Sequence, residues 1–292
     1  MSRYGQRTLT AQPTLANWGK SGVAVSNIFE VDYLVVAGGG GGGAGYYGGG
    51  GGAGGLRSTV TATGGGGTIE VAAVARKATN YTVTVGAGGV GQNDNNYLAA
   101  YGNNSVFDTI TSTRGGGGHS RQSNVSATVA GSSGGIALNG TVGAATANQG
   151  FAGGASAYGS GGGGAGAAGA SAGGSIGANG GVGVAVAITG SSVYYGGGGA
   201  GGAGSPFVGG TGGGGAAGDP AVAGTANTGG GGGAGTENNT AGAAGGSGVV
   251  ILRYVDTLTI TIGAGLTGTE SASSGGYKRA TITAGTGNVS WA

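Results

Sequence analysis

Cysteine is absent from the 292 residues, so neither disulfide staples nor thiolate metal sites are available. Histidine occurs once, at His119, and proline 3 times. Charged side chains make up 7% of the chain, against a usual share of about 25%. That scarcity argues against the common disordered composition, which combines low hydrophobicity with high charge. The 11 Lys and Arg against 9 Asp and Glu leave a formal charge of +2. Such a charge creates no long-range field to gather nucleic acid or an anionic membrane. No run reaches the roughly 18 apolar residues that a spanning helix needs, so no membrane insertion is expected. The opening stretch, MSRYGQRTLTAQPTLANWGK, has no apolar centre and is expected not to be a secretory signal. The chain is therefore expected to be made in a cytoplasm and not to leave it by a signal peptide. Without carboxylate pairs, cysteines or clustered histidines, no catalytic residue, metal site or cofactor is expected, and the chain does not read as an enzyme.

What fills the space is glycine, 84 residues of it, about four times the usual share of ~7%. Glycine loses the most backbone entropy on folding and has no side chain to bury. The runs are long: Gly38 to Gly43, Gly48 to Gly52, Gly64 to Gly67, Gly115 to Gly118, Gly161 to Gly164, Gly196 to Gly199, Gly212 to Gly215 and Gly229 to Gly233. A strict G-X-Y triplet is missing, which excludes collagen. Helix is disfavoured too, since each interior glycine costs about 1 kcal/mol against alanine. One ordered state remains. Polyglycine-II helices, with a rise of about 3.1 Å per residue, leave every N–H and C=O free to bond to a neighbouring helix. Packed side by side they need glycine wherever backbones meet, and the positions expected to need it include Gly38, Gly40, Gly43, Gly50, Gly163, Gly198, Gly214 and Gly231. Two β-branched strands bracket the array, Glu30 to Val36 and Ser247 to Tyr254.

The expected fold is therefore mainly non-α, a polyglycine-II bundle or sandwich with flanking short strands and a small C-terminal β domain. Residues 1–29 read as an attachment arm or cap. Residues 30–254 read as the glycine-rich domain, with a β-rich segment at 68–114 that holds TIEVAAVA, NYTVTV and NNSVFDTI. Residues 255–292, with TLTITI and YKRATIT, read as a β tail too small to be secure alone.

Chemical motifs are few. Val31 to Gly43 matches a strand followed by G-x-G-x-x-G, but AGYYGGGGGAGG comes next, and no helix can open there as a dinucleotide site requires. No Gly-Lys-Ser/Thr follows any run, so there is no P-loop. His119 reads as a polar loop residue, and Gln92 to Asn96 as a polar turn with too few carboxylates for a calcium loop. The tyrosines carry more. Tyrosine offered by Gly, Ser and Asn loops gives amphipathic contact area at low entropic cost. The binding candidates are Tyr97 and Tyr101, in NDNNYLAAYGNN, then Tyr46, Tyr47, Tyr194 and Tyr195, with coverage of the array's faces and ends as the alternative role.

The combination of VDYLVVAGGGGGG, NYTVTVGAGGVG, NNSVF and GGSGVVILRY, over about residues 30–254, resembles the glycine-rich domain of bacteriophage tail-fibre and minor virion proteins. The ending TITAGTGNVSWA is similar to those of marine phage structural proteins. The insert at 56–79 and the sheet character of 68–114 depart from the pattern. The resemblance implies a virion structural protein, a tail-fibre or adhesin subunit that binds the host surface through variable loops on a polyglycine-II sandwich. It implies other tail proteins as partners, a host glycan or outer-membrane protein as receptor, a homotrimer as one assembly, and the virion as location. The alternative is a capsid-decorating or connector protein that contacts other virion subunits.

Overall fold

A computed structural model of the chain describes residues 27–123, 128–138, 140–156, 158–174, 176–204 and 207–292. The arm expected at 1–29 lies outside the described residues up to position 26. Among those described, the protein is mainly β and has no α-helix.

The strands are β1 (Ile28–Val36), β2 (Leu56–Ser58), β3 (Ala73–Arg76), β4 (Tyr81–Thr84), β5 (Ser105–Phe107), β6 (Ile110–Ser112), β7 (Val184–Val186), β8 (Val193–Tyr195), β9 (Val249–Val255), β10 (Ile260–Ile262), β11 (Leu266–Glu270) and β12 (Tyr277–Trp291). All but β7 and β8 share a 10-stranded sheet with the order β2-β1-β9-β12-β4-β5-β6, joined by β3 on β1 and by β10 and β11 on β12. Its pairings are all antiparallel. The sheet curls nearly closed. The Ser112 hydroxyl of β6 donates to the Val35 carbonyl at 2.7 Å, and Arg57 of β2 reaches the Thr111 carbonyl at 3.4 Å.

Tyr33–Val36 of β1 and Val249–Leu252 of β9 are unbroken apolar runs because both of their faces are covered there, as in strands buried on two sides, while Asp32 and Arg253 next to them form an ion pair. Val31, Tyr33 and Val35 of β1 and Val250, Leu252 and Tyr254 of β9 point into the curl with Phe107, Ile282 and Trp291. Leu34, Val36, Val249 and Ile251 point the other way, onto Val184, Val186, Ile188 and Tyr195 of the β7–β8 region. The inner core is closed by Trp291, whose ring meets Phe29 at 5.4 Å, Tyr81 at 5.8 Å and Tyr254 at 5.6 Å.

The tail 255–292 is hydrogen-bonded into this sheet. β12 lies between β9 and β4. Its first half pairs with β9 and β11, its second with β4 and β10. Gly285 sits where one set of partners gives way to the other, at φ +97, with the Gly265 carbonyl oxygen 1.9 Å from where a Cβ would stand. β3 to β6 belong to the common sheet, while residues 86–104 run out among the glycine segments and back.

Those segments are long connections between strands, neither α-helix nor sheet, and their hydrogen bonds follow a rule. The N–H groups of Gly38 and Gly41 donate to Asn103 and Ala100, those of Gly39 and Gly42 to Gly246 and Ala243, and those of Gly40 and Gly43 to Gly52 and Gly49. The carbonyls of the same pairs accept from Gly115 and Gly118, from Gly89 and Gln92, and from Gly232 and Gly235. The partner segment changes at each residue and returns at the third. Residues 49–55 repeat the rule, with Gly49, Gly52 and Gly55 donating to His119, Gly116 and Thr113. The backbone is thus satisfied between segments rather than within them.

Close approach explains why these residues are glycine. At Gly38, Gly40, Gly43, Gly50, Gly163, Gly198, Gly214 and Gly231, an added Cβ would lie 1.9–2.1 Å from a backbone carbonyl oxygen. The hydrogen there points at that oxygen, as in Cα–H···O contacts.

Candidate functional site

The strands set the direction of every glycine segment. Residues 37–43 leave β1, 86–92 leave β4 and 113–118 leave β6, and their mutual bonds run in parallel register. Residues 230–235 run alongside them in the same sense. Each of these segments ends at the same level, far from the sheet, and each ends in polar or aromatic residues: AGYY, QNDNN, HSRQ and AGTENN. The returning segments 48–55, 98–104 and 242–248 lead back to β2, β5 and β9. The loops 44–47, 93–97, 119–123, 158–159 and 236–240 consequently meet at the tip.

Backbone bonds lock them together. The Arg121 N–H donates to the Ala44 carbonyl at 3.0 Å, Gly45 to Thr240 at 3.0 Å, Gln122 to Asn95 at 2.7 Å, and Ser120 to Tyr97 at 3.3 Å. Tyr47 stands edge-on to Tyr46 at 4.7 Å and to Tyr158 at 5.5 Å. The Arg121 guanidinium lies 5.9 Å from the Tyr47 ring centre and donates to the Asn238 side-chain oxygen. Gly204 holds φ +64 against Tyr46, whose hydroxyl leaves no room for a side chain there. Beside the rings is an open basin of about 500 Å³, lined by Asn93, Asp94, Asn95, Asn96, Gln122 and Asn239. Asn95 bridges to Asn239 at 3.2 Å, and Asp94 accepts from the Asn96 backbone and side chain at 2.8 and 2.9 Å.

Of the tyrosines singled out in the sequence, Tyr46, Tyr47 and Tyr97 come together at the tip, and Tyr97 is exposed. Tyr101 stands on the side of the array, with Arg114 4.8 Å from its ring centre and its hydroxyl accepting from the Thr128 N–H at 2.7 Å. Tyr194 and Tyr195 belong to β8 at the sheet end. Tyr195 is buried against β1 and β9, and burial pushes its hydroxyl pKa up. Sequence reasoning passed over Arg121, Gln122, Asn238 and Asn239. Their signal was positional, since each lies just beyond the end of an outbound glycine segment. His119, read as a loop residue, is fully buried, its Nδ1 3.3 Å from the Gly135 carbonyl oxygen.

Among the described residues, no group of three or more His, Cys, Asp or Glu gathers as metal ligands, and no helix is long and apolar enough to cross a membrane. The tip offers amides, phenol rings, the Arg121 guanidinium and the carboxylates of Asp94 and Glu237. A family model described as a glycine-rich domain matches residues 19–255. A comparison with curated proteins finds no match.

Proposed function

The chain belongs to the glycine-rich domain family, and from that premise we propose that it is a bacteriophage virion structural protein, a tail-fibre or adhesin subunit that binds a host surface without catalysis. In this reading the glycine segments are a bundle of polyglycine-II helices. The three-residue return of hydrogen-bond partners supports that assignment, because a helix with three residues per turn faces the same neighbour once per turn. The bundle is a stiff, charge-poor post. Seven residues from 37 to 43 extend it by about 20 Å at ~3.1 Å per residue.

The observation that carries the functional reading is the convergence of five loops, bearing Tyr46, Tyr47, Tyr97, Tyr158 and the Asn-rich basin, at the end remote from the sheet. Binding residues concentrate on loops held by a rigid scaffold. The sheet end, opposite these loops, is then the end that attaches to other tail proteins. Copies displayed together on a particle, as a trimer or as several fibres, raise a weak single-site affinity by avidity.

A second reading, a capsid-decorating or connector subunit, is favoured by one feature. Ile69, Val71 and Val74 are exposed at the sheet end, Val71 by 87%, and apolar side chains grouped on a surface mark protein contacts. Labelling particles with an antibody against this chain separates the two. Label at fibre tips, together with adsorption of the purified chain to bacteria that a Tyr47→Ala variant loses, is the expected result. Label spread over the capsid, with no adsorption, would replace the adhesin by the connector.

A further inference from the structure

The basin beside the tyrosines has a chemistry of its own. Its walls are amides with spare capacity. No hydrogen bond from the side chains of Asn93 or Gln122 to any described residue is present, while Asn239 engages only its oxygen. A primary amide donates and accepts at adjacent atoms, which matches vicinal hydroxyls that do the same. The charged groups are few: Asp94 in the lining, Glu237 exposed on the adjoining loop, and Arg121. The Asp94 carboxylate already accepts two bonds from Asn96, and the Arg121 guanidinium is turned to Asn238 and the Tyr47 ring. A site for an anionic or phosphorylated ligand would instead present that guanidinium as a fork. A protein partner needs a buried apolar centre within an interface of about 1,000 Å² or more, whereas this basin is concave, small and polar. Next to it the Tyr46, Tyr47 and Tyr158 rings offer flat amphipathic faces.

We propose that the basin formed by Asn93, Asp94, Asn95, Asn96, Gln122 and Asn239 binds a neutral saccharide, with the tyrosine cluster as the subsite for the next sugar. The proposal rests on the tip-binding reading above and narrows it to one ligand class. The amides take the ring hydroxyls and the tyrosine faces take the C–H face of the adjoining residue. The loops need little reordering, because backbone bonds between them already hold the lining in position, and preorganisation of this kind favours binding.

The test uses the full chain on an array of neutral, sialylated and phosphorylated oligosaccharides, followed by calorimetry with whichever neutral oligosaccharide binds. Binding to neutral saccharides is expected, with at least a tenfold loss in Gln122→Ala and in Asn239→Gly. The glycine keeps the backbone at φ +66 available while removing the amide. Tyr194→Ala, at the opposite end, is expected to bind as the parent does. Each variant is first checked for an unchanged thermal transition. Binding confined to anionic saccharides and weakened by salt overturns the assignment. So does an array without binding when the same preparation still adsorbs to bacteria and loses adsorption with Tyr47→Ala, a result that keeps the adhesin and points to a protein receptor. Failure of both saccharide binding and adsorption removes the adhesin reading as well.

Discussion

A single added side chain suffices to probe the glycine array. Gly231 sits with the Gly51 carbonyl oxygen 1.9 Å from its missing Cβ, whereas Gly173 has nothing within 4 Å. Gly231→Leu must push two segments apart and break bonds on both. Its stability is expected to fall by more than about 3 kcal/mol, the upper end of ordinary overpacking, as a shift in denaturant midpoint. Gly173→Ala is expected to be neutral or slightly stabilising, through the entropy of the unfolded chain. Equal effects of the two would refute the close-packed array. The buried phenols give a second residue-scale prediction. Burial, and then donation to Glu70 at 2.7 Å, raises the Tyr33 pKa well above its ordinary value; burial and then Glu270 at 2.8 Å do the same for Tyr254. In the unfolded chain both titrate near the reference value of about 10. Above that pH the folded state holds more protons than the unfolded one, so stability is intact below pH ~10 and falls as the pH rises beyond it. Thermal melts between about pH 8 and 11.5 are expected to show this fall, shallower in Tyr254→Phe.

Among the elements, β12 carries the most. It contacts β9, β11, β4 and β10 along 15 residues and ends on the buried Trp291. Deleting 257–292 therefore removes the middle of the sheet. The shortened chain is expected to lose cooperative unfolding altogether, and a melt with an unchanged main transition would mean that the tail is separable. Trp291→Ala is expected to cost about 3–5 kcal/mol, the usual range for a buried aromatic, read by chemical denaturation. The sequence revealed some elements and hid others for definite reasons. β1, β4 and β9 were legible because β-branched or alternating runs border glycine. β12 was read only as 277–283, because Ala284 to Gly287 looks like a turn, while Gly285 in fact bends a continuous strand at φ +97. NNSVFDTI was read as a single strand and is the start of a hairpin that turns at Asp108, φ 51, before β6. TIEVAAVA supplies strand only from Ala73 onward.

For the whole molecule, hydrogen exchange is the decisive observable. If the bonded array persists in solution, amides across 38–43 and 49–55 exchange slowly, since each has a carbonyl partner. An outer segment should alternate. Gly89 and Gln92 donate to Gly39 and Gly42 and are expected to be protected, whereas Val90 and Gly91 have no such bond and are expected to exchange fast. Residue-resolved exchange by NMR checks this. Uniformly fast exchange would reduce the array to linkers between small β elements. The candidate site also belongs to this scale. Tyr46 and Tyr47 were legible as loop aromatics, but the basin draws on residues more than 140 positions apart, such as Asn95 and Asn239 with a separation of 144.

The sequence by itself excluded disulfides, disfavoured α-helix through its glycine content, and showed that β-branched runs frame the glycine runs. Those properties are local, set by composition and by the residues flanking each run. Which run lies beside which, the burial of His119 and Tyr195, the insertion of the tail into the sheet and the gathering of the loops at one tip were decided only by the tertiary structure. The reason is that glycine has no side chain with which to encode a partner. Its pairings, such as Gly39 with Gly246, arise from backbone bonds between distant segments, whose direction and register the strands impose.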